Sequence, residues 1–330
     1  MKLRMIFSAL LVGGILVLGG LGGVSIEAQS IKSIYSTPTA SEGALWIAKE
    51  AGFFQKQGLD VEMIFVQGGA AAVAAIISGQ VQFGVLSPVS TVNGALAGAD
   101  MIMVGNLSSL MTNEIVAREG ITRPEDLKGK RIAIGRRGSS SDFVTRFALK
   151  KFGLEADRDY QLIQAGGSSD RLASVLSGGA DAATITPAGH KKAQSMGFNV
   201  AYDIAAGKVP YSDAAVVVKR EFMRDNRDLL KRILMGFAEA THYFKTNRDG
   251  SLKILAKYLR MTPDLAEYDY RLSSQGAPRN LRFAPEILNT IREAVAEQRP
   301  EAKNVTMNRF VDESLDTELE SSGFIDKLYR

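Results

Sequence analysis

The chain contains no cysteine, and that absence removes several chemistries at once. Disulfides, a thiol nucleophile, thiolate metal sites and a lipid-modified N-terminal cysteine are excluded. Histidine is nearly as scarce: only His190 and His242 occur among 330 residues, far apart in sequence. A zinc or iron centre built on imidazoles is therefore not expected, and a Ser-His pair would have to use one of these two. There is no Gly-x-Ser-x-Gly elbow, no His-Glu-x-x-His and no paired carboxylates in a shared motif. No catalytic constellation, metal or cofactor is predicted. Long basic runs are missing too. The net charge is only +4, with Lys and Arg interleaved among Asp and Glu, so nucleic acid is not the expected partner.

What is present is enough apolar sequence, 45% of residues, for one large domain or two medium ones, with an ordinary charged fraction of 23%. Apolar residues concentrate at the N-terminus. Lys2 and Arg4 precede an apolar run from Ile6 to Leu21, and Val24 to Ala28 supplies a small residue for cleavage before Gln29. The pattern reads as a secretory signal peptide over residues 1–28. The alternative is an uncleaved anchor, for which the run is short and rich in glycine. Cleavage removes two positive charges and one negative, leaving +3. The expected product is a soluble monomer in the periplasm.

From residue 31 short apolar runs alternate with helical patterns. Ile31–Ser36, Val61–Val66, Phe83–Leu86 and Met101–Val104 read as strands, separated by helices over Ala44–Phe54, Ala70–Ile77 and Pro88–Ala97. The rhythm restarts with strands at Arg131–Gly135, Tyr160–Gln164 and Ala182–Ile185 and helices at Ser141–Phe152, Asp170–Leu176 and Pro187–Met196. The two passages are alike in detail. Ala74-Ala75-Ile76-Ile77-Ser78-Gly79 lies over Ala173-Ser174-Val175-Leu176-Ser177-Gly178, and at the same offset Ser87-Pro88 lies over Thr186-Pro187. An internal match of this kind predicts two lobes of similar topology; chance similarity between two β-α-β units is the competing explanation. The runs Glu114–Arg118 and Ala214–Lys219 bracket the second passage and suggest a two-stranded crossover. The expected architecture is α/β and two-lobed, each lobe a mostly parallel sheet flanked by helices, with extra C-terminal helices. Lobe 1 comprises residues 29–115 and 213–330, and lobe 2 residues 116–212.

Each strand-to-helix turn carries small hydrogen-bonding residues: Ser36 to Ser41, Gly68-Gly69-Ala70, Ser87-Pro88, Gly138 to Ser141, Gly166 to Ser169 and Thr186-Pro187. In a parallel sheet these turns share the carboxyl edge, where open α/β sheets bind ligands and free helix N–H groups hold polar or anionic groups. For any one turn, plain helix capping explains the same residues. The set is the more informative, and Ser139-Ser140-Ser141 exceeds what one cap needs. Tyr211 and Asp213 stand where the chain returns to the first lobe and are placed at the cleft. Arg136 and Arg137 fit an acidic group or an exposed loop, Trp46 reads as core, and His190 as a surface residue.

The segment Ala48-Lys49-Glu50-Ala51-Gly52-Phe53-Phe54, then Gly58-Leu59-Asp60-Val61, Ser78-Gly79 and Phe83-Gly84, resembles the ABC-transporter substrate-binding proteins of the nitrate/sulfonate/taurine type. So does Glu125 to Ala133 followed by Gly138-Ser139-Ser140. The resemblance runs from about residue 31 to about 260. It implies a type II periplasmic-binding fold, related to the thiamine-pyrimidine synthases but without their cysteine-rich motif. It implies a binding protein, not an enzyme, that closes over a small polar or anionic organic ligand and delivers it to an ABC permease and ATPase complex in the inner membrane. An extracytoplasmic enzyme on the same fold and a receptor for another importer or a sensor kinase are the alternatives. Carried over by position, the ligand contacts are Ser36, Thr37, Thr39, Ser41, Gly68, Gly69, Ala70, Ser87, Ser139, Ser140, Ser141 and Thr186.

Overall fold

The computed structural model describes residues 28–330. The signal-peptide reading and its cleavage site fall almost wholly outside the described residues. Within them, no helix is long and apolar enough to cross a membrane.

The first passage runs β1 (Gln29–Tyr35), α1 (Gly43–Glu50), α2 (Phe53–Lys56), β2 (Leu59–Phe65), α3 (Gly69–Ile77), β3 (Phe83–Leu86), α4 (Pro88–Leu96) and β4 (Met101–Asn106). The second runs β5 (Glu114–Ala117), β6 (Arg131–Ile134), α5 (Ser140–Lys150), β7 (Gln161–Gln164), α6 (Ser168–Leu176), β8 (Ala182–Ile185), α7 (His190–Ser195) and β9 (Asn199–Asp203). The chain then returns through β10 (Ala215–Lys219) and continues as α8 (Arg220–Asp225), α9 (Arg227–Thr246), α10 (Arg248–Leu259), α11 (Pro263–Gly276), α12 (Pro285–Ala296), α13 (Ser314–Ser321) and α14 (Phe324–Leu328).

Two five-stranded sheets result among the described residues, in the orders β2-β1-β3-β10-β4 and β7-β6-β8-β5-β9. Each has the same plan. Three strands are parallel, and a strand from the crossing chain inserts antiparallel between the third and the outermost: β10 between β3 and β4, β5 between β8 and β9. The inserted strands are buried along nearly their whole length because helices cover both faces, which is why they read as unbroken β-branched runs.

The expected crossover of Glu114–Arg118 with Ala214–Lys219 is not formed. Those runs lie in different sheets, where each gains two ladder neighbours in place of one. The crossing chains pair with other residues instead, through Leu107 N–H to the Ala214 carbonyl (2.9 Å), Met111 N–H to the Val209 carbonyl (3.0 Å), Tyr211 N–H to the Ser109 carbonyl (3.1 Å) and a Leu110–Pro210 bridge.

The C-terminal helices pack on the first sheet. Trp46, fully buried, stacks on Tyr258 of α10 at 4.9 Å and 4°, and Phe54, Phe83 and Phe237 form an edge-to-face trio. Such pairs add roughly 0.5–1.5 kcal/mol each to area burial. One helix does more. α11 packs against residues 40–42 of the first passage and 187–189 of the second, so it spans both sheets. There Tyr268 stacks on His190 (4.1 Å), its hydroxyl donates to Glu114 Oε1, and His190 Nδ1 lies 2.6 Å from Glu114 Oε2. His190 is therefore not a free surface residue. Its side chain is 14% exposed, held between a carboxylate and an aromatic ring.

Candidate functional site

The turns after β1 and β3 of the first sheet and after β6 of the second converge where the chain returns at residues 211–213. The sequence folds this way because each turn must end a strand and start a helix within a few residues. Ser87 precedes Pro88 and Ser139 precedes Ser140 in extended backbone, the conformation an N-cap takes. Gly138 is left-handed (φ +82°), and a Cβ there would meet Gln298 at 2.6 Å. The serine turn thus depends on a glycine as well as on its hydroxyls.

The three serines divide the work. Ser141 Oγ accepts from Gly135 N–H (2.9 Å) and Ser139 Oγ from Arg136 N–H (3.3 Å), while the two hydroxyls lie 3.0 Å apart. They pin the turn. Ser140 reaches across, donating to Asp213 Oδ1 at 2.8 Å, and Asp213 N–H donates to Ser108 Oγ at 2.8 Å. One hydrogen bond therefore ties the second sheet's turn to the returning chain. The Tyr211 ring is fully buried and stacks on Phe143 of α5 at 5.4 Å. Ser87 and Ser140 flank its hydroxyl, which makes no hydrogen bond of good geometry among the described residues; neither does Ser87 Oγ.

From the first sheet comes Glu42, 2% exposed, in the turn after β1. Thr37 N–H donates to its Oε1 at 3.3 Å, and Oε2 has no partner among the described residues. Burial pushes its carboxyl well above the usual carboxylate range; the Thr37 and Ser36 N–H groups oppose this and the charge of Asp213 adds to it. Asp213 is pushed up to about 6, again by burial, with the Ser140 hydroxyl pulling the other way. A carboxyl that holds its proton tightly can donate through its O–H and still accept on its other oxygen, so the pair can meet polar ligand groups of either kind.

Ser36, Thr37, Ser87, Ser140, Tyr211 and Asp213 are thus brought into one neighbourhood, Ser36 and Thr37 through their backbone and Glu42. Thr39 and Ser41 belong to the turn around Glu42 without contacting the carboxyl. Gly68, Gly69, Ala70 and Thr186 make none of these contacts. Gly69 packs so close to α4 that a Cβ would stand 2.3 Å from Ser90 Oγ, and Ala70 is exposed. Thr186 meets Ser168 instead (3.3 Å between hydroxyls). Arg136 and Arg137 are exposed, and Arg137 forks onto Asp157 at 2.8 and 3.0 Å. Sequence reasoning missed Glu42, because an acid in the first turn of a helix is also the ordinary dipole partner.

Two α/β lobes joined by a paired crossover, with the turns of both sheets meeting at the joint, define the periplasmic-binding-protein fold. The aliphatic sulphonate binding protein SsuA of Escherichia coli superposes with a TM-score of 0.71 at 20% identity, over 86% of this chain and 92% of that one. The chain belongs to the NMT1/THI5-like family, which it matches over residues 41–250. In sequence it is 28% identical over 221 residues to a Brucella abortus protein named as a candidate binding protein, covering 65% of this chain and 67% of that protein. It is 29% identical over 142 residues to the taurine-binding periplasmic protein of Escherichia coli, covering 42% and 43%.

Proposed function

We propose that the protein is an extracytoplasmic solute-binding protein. It captures a small polar or anionic organic ligand between its lobes and presents it to an ABC permease and ATPase. The observation that carries this reading is the convergence of Glu42, Ser87 and Ser140, from turns of both sheets, on Tyr211 and Asp213. A ligand touching both sides binds the closed arrangement better and shifts the population toward it. Relatives named for taurine and sulphonate binding support the transport role and a periplasmic location. We assign residues 29–113 and 213–330 to lobe 1 and 114–212 to lobe 2, moving the expected boundary by two residues so that all of β5 lies with its partners. Binding is assigned without turnover, in a monomer. The test is mass spectrometry of small molecules that copurify with the exported protein, then calorimetry and small-angle scattering with the molecule found. The expected result is stoichiometric binding, a more compact particle and an unchanged ligand. A ligand that emerges chemically altered, or binds without compaction, overturns the reading.

A further inference from the structure

We infer that Arg171, with Ser168 and Thr186, forms a subsite for an oxyanion group (carboxylate, sulfonate or phosphate) of a small ligand at the carboxyl edge of the second sheet. The inference rests on the solute-binding reading and specifies one end of the ligand.

Arg171 lies in the first turn of α6 and is 6% exposed. Its Nη2 donates to Ser168 Oγ at 2.8 Å, and that oxygen lies 3.3 Å from Thr186 Oγ1 and 3.4 Å from Thr186 N. Nε and Nη1 are buried with no hydrogen-bond partner among the described residues, so no carboxylate there bonds them. The one nearby charge that steadies it, Asp170, is occupied with Gly167 N–H at 3.0 Å. A buried cation left half-bonded is costly, and proteins normally pair it. The unpartnered Nε and Nη1 groups can each offer an oxyanion a charge-assisted hydrogen bond. The flanking hydroxyls and the positive end of α6 favour the same charge.

The fold does not require this residue. At the internal offset of 99 residues, Arg171 lies over Ala72, Ser168 over Gly69 and Thr186 over Ser87. The first helical hydrogen bond is alike, Ala72 N–H to the Gly68 carbonyl at 3.2 Å and Arg171 N–H to the Gly167 carbonyl at 3.0 Å, although Gly68 sits at φ +100° and Gly167 at φ −66°. In the first lobe the same place is filled by a fully buried alanine.

The experiment uses the exported protein freed of ligand by unfolding and refolding. Acetate, methanesulfonate and phosphate are titrated at ionic strength matched with sodium chloride, and read by calorimetry and thermal midpoint. Wild type, Arg171→Met and Arg171→Lys are compared. The expected result is that wild type binds at least one of the three anions. Arg171→Met melts higher than wild type without anion yet loses about tenfold or more in anion affinity, and Arg171→Lys keeps part of it. A merely structural arginine predicts the opposite stability sign. Wild type indifferent to all three anions, or Arg171→Met binding them as wild type does, overturns the subsite. A copurified molecule that closes the lobes but carries no oxyanion group also overturns it, while leaving the solute-binding reading intact.

Discussion

The two lobes share one plan and differ in what they hide. Gly79 and Gly178 end α3 and α6 in the same left-handed conformation, at φ +75° and +77°. Ile77 and Leu176, equivalent and at the same helix ends, are both exposed. At the opposite ends of those helices the likeness stops. The first lobe has Gly69 and Ala72, pressed against α4. The second has Ser168 and Arg171, beside a turn that continues as a short 3-10 helix over Pro187–Gly189. Equivalent helices, entered through Gly68 at φ +100° in one lobe and Gly167 at φ −66° in the other, thus carry close packing in the first and polar capacity in the second. Function on a duplicated scaffold is found by asking where the copies disagree.

The sharpest way to break that comparison is to exchange the two sites. Ala72→Arg buries a charge in the lobe with no hydroxyl at residue 69 to meet it, so a loss of roughly 3–5 kcal/mol in denaturant unfolding is expected. Gly69→Ser, which must displace Ser90, is expected to cost about 1–3 kcal/mol. A tolerated Ala72→Arg would show that the lobes are not distinguished by packing.

The second test concerns buried acids. Asp269 on α11 is 1% exposed and pushed up to about 7 by burial, against about 6 for Asp213. Both bind a proton more tightly folded than unfolded, where carboxylates titrate near 4. Stability is therefore full at low pH on this account and falls as pH rises from about 4 to about 7, by at most about 1.4 kcal/mol per unit of raised pKa. Asp269→Asn should be the more stable protein at pH 8 and nearly equal to wild type at pH 4. Thermal midpoints at both values check the sign.

A smaller effect is expected at the span between lobes. Glu114→Ala strands the Tyr268 hydroxyl and the His190 ring, at a cost of about 1–3 kcal/mol. Scattering without ligand should show a more open particle; an unchanged profile would place the strength of the span elsewhere in α11. Smallest of all, Arg137→Ala removes an exposed pair with Asp157 and should cost no more than about 1 kcal/mol, with ligand binding intact.

Much of this was legible in the residues. Phe83–Leu86 and Ala182–Ile185 were readable as strands to the residue, because both are short apolar runs bounded by turn chemistry. The repeat was visible because its helix-ending Ser-Gly pairs and Ser-Pro or Thr-Pro starts are local signals. Asn199–Asp203 was not recognised as a strand, since at a sheet edge only Ala201 is buried and no alternation stands out. The pairing of the crossing segments also escaped. Ladder partners are set by what the rest of the sheet offers, and a β-branched run states only that it will find some. For the site, the turns were named correctly as places, but a hydroxyl's partner is a three-dimensional fact. Nothing in Ser139-Ser140-Ser141 says that only the middle one reaches Asp213.

The insertion of β10 between β3 and β4 carries a consequence for biosynthesis. Residues 114–203 contain every strand of the second sheet, so that lobe can close as soon as they are available. The first sheet, although it begins the chain, keeps a gap with two open edges until residue 219 arrives, and its helical cover comes later still. Unpaired edges of this kind invite wrong partners. The half of the molecule that is made first is therefore the half that must wait, and its protection in the interim has to come from outside the fold.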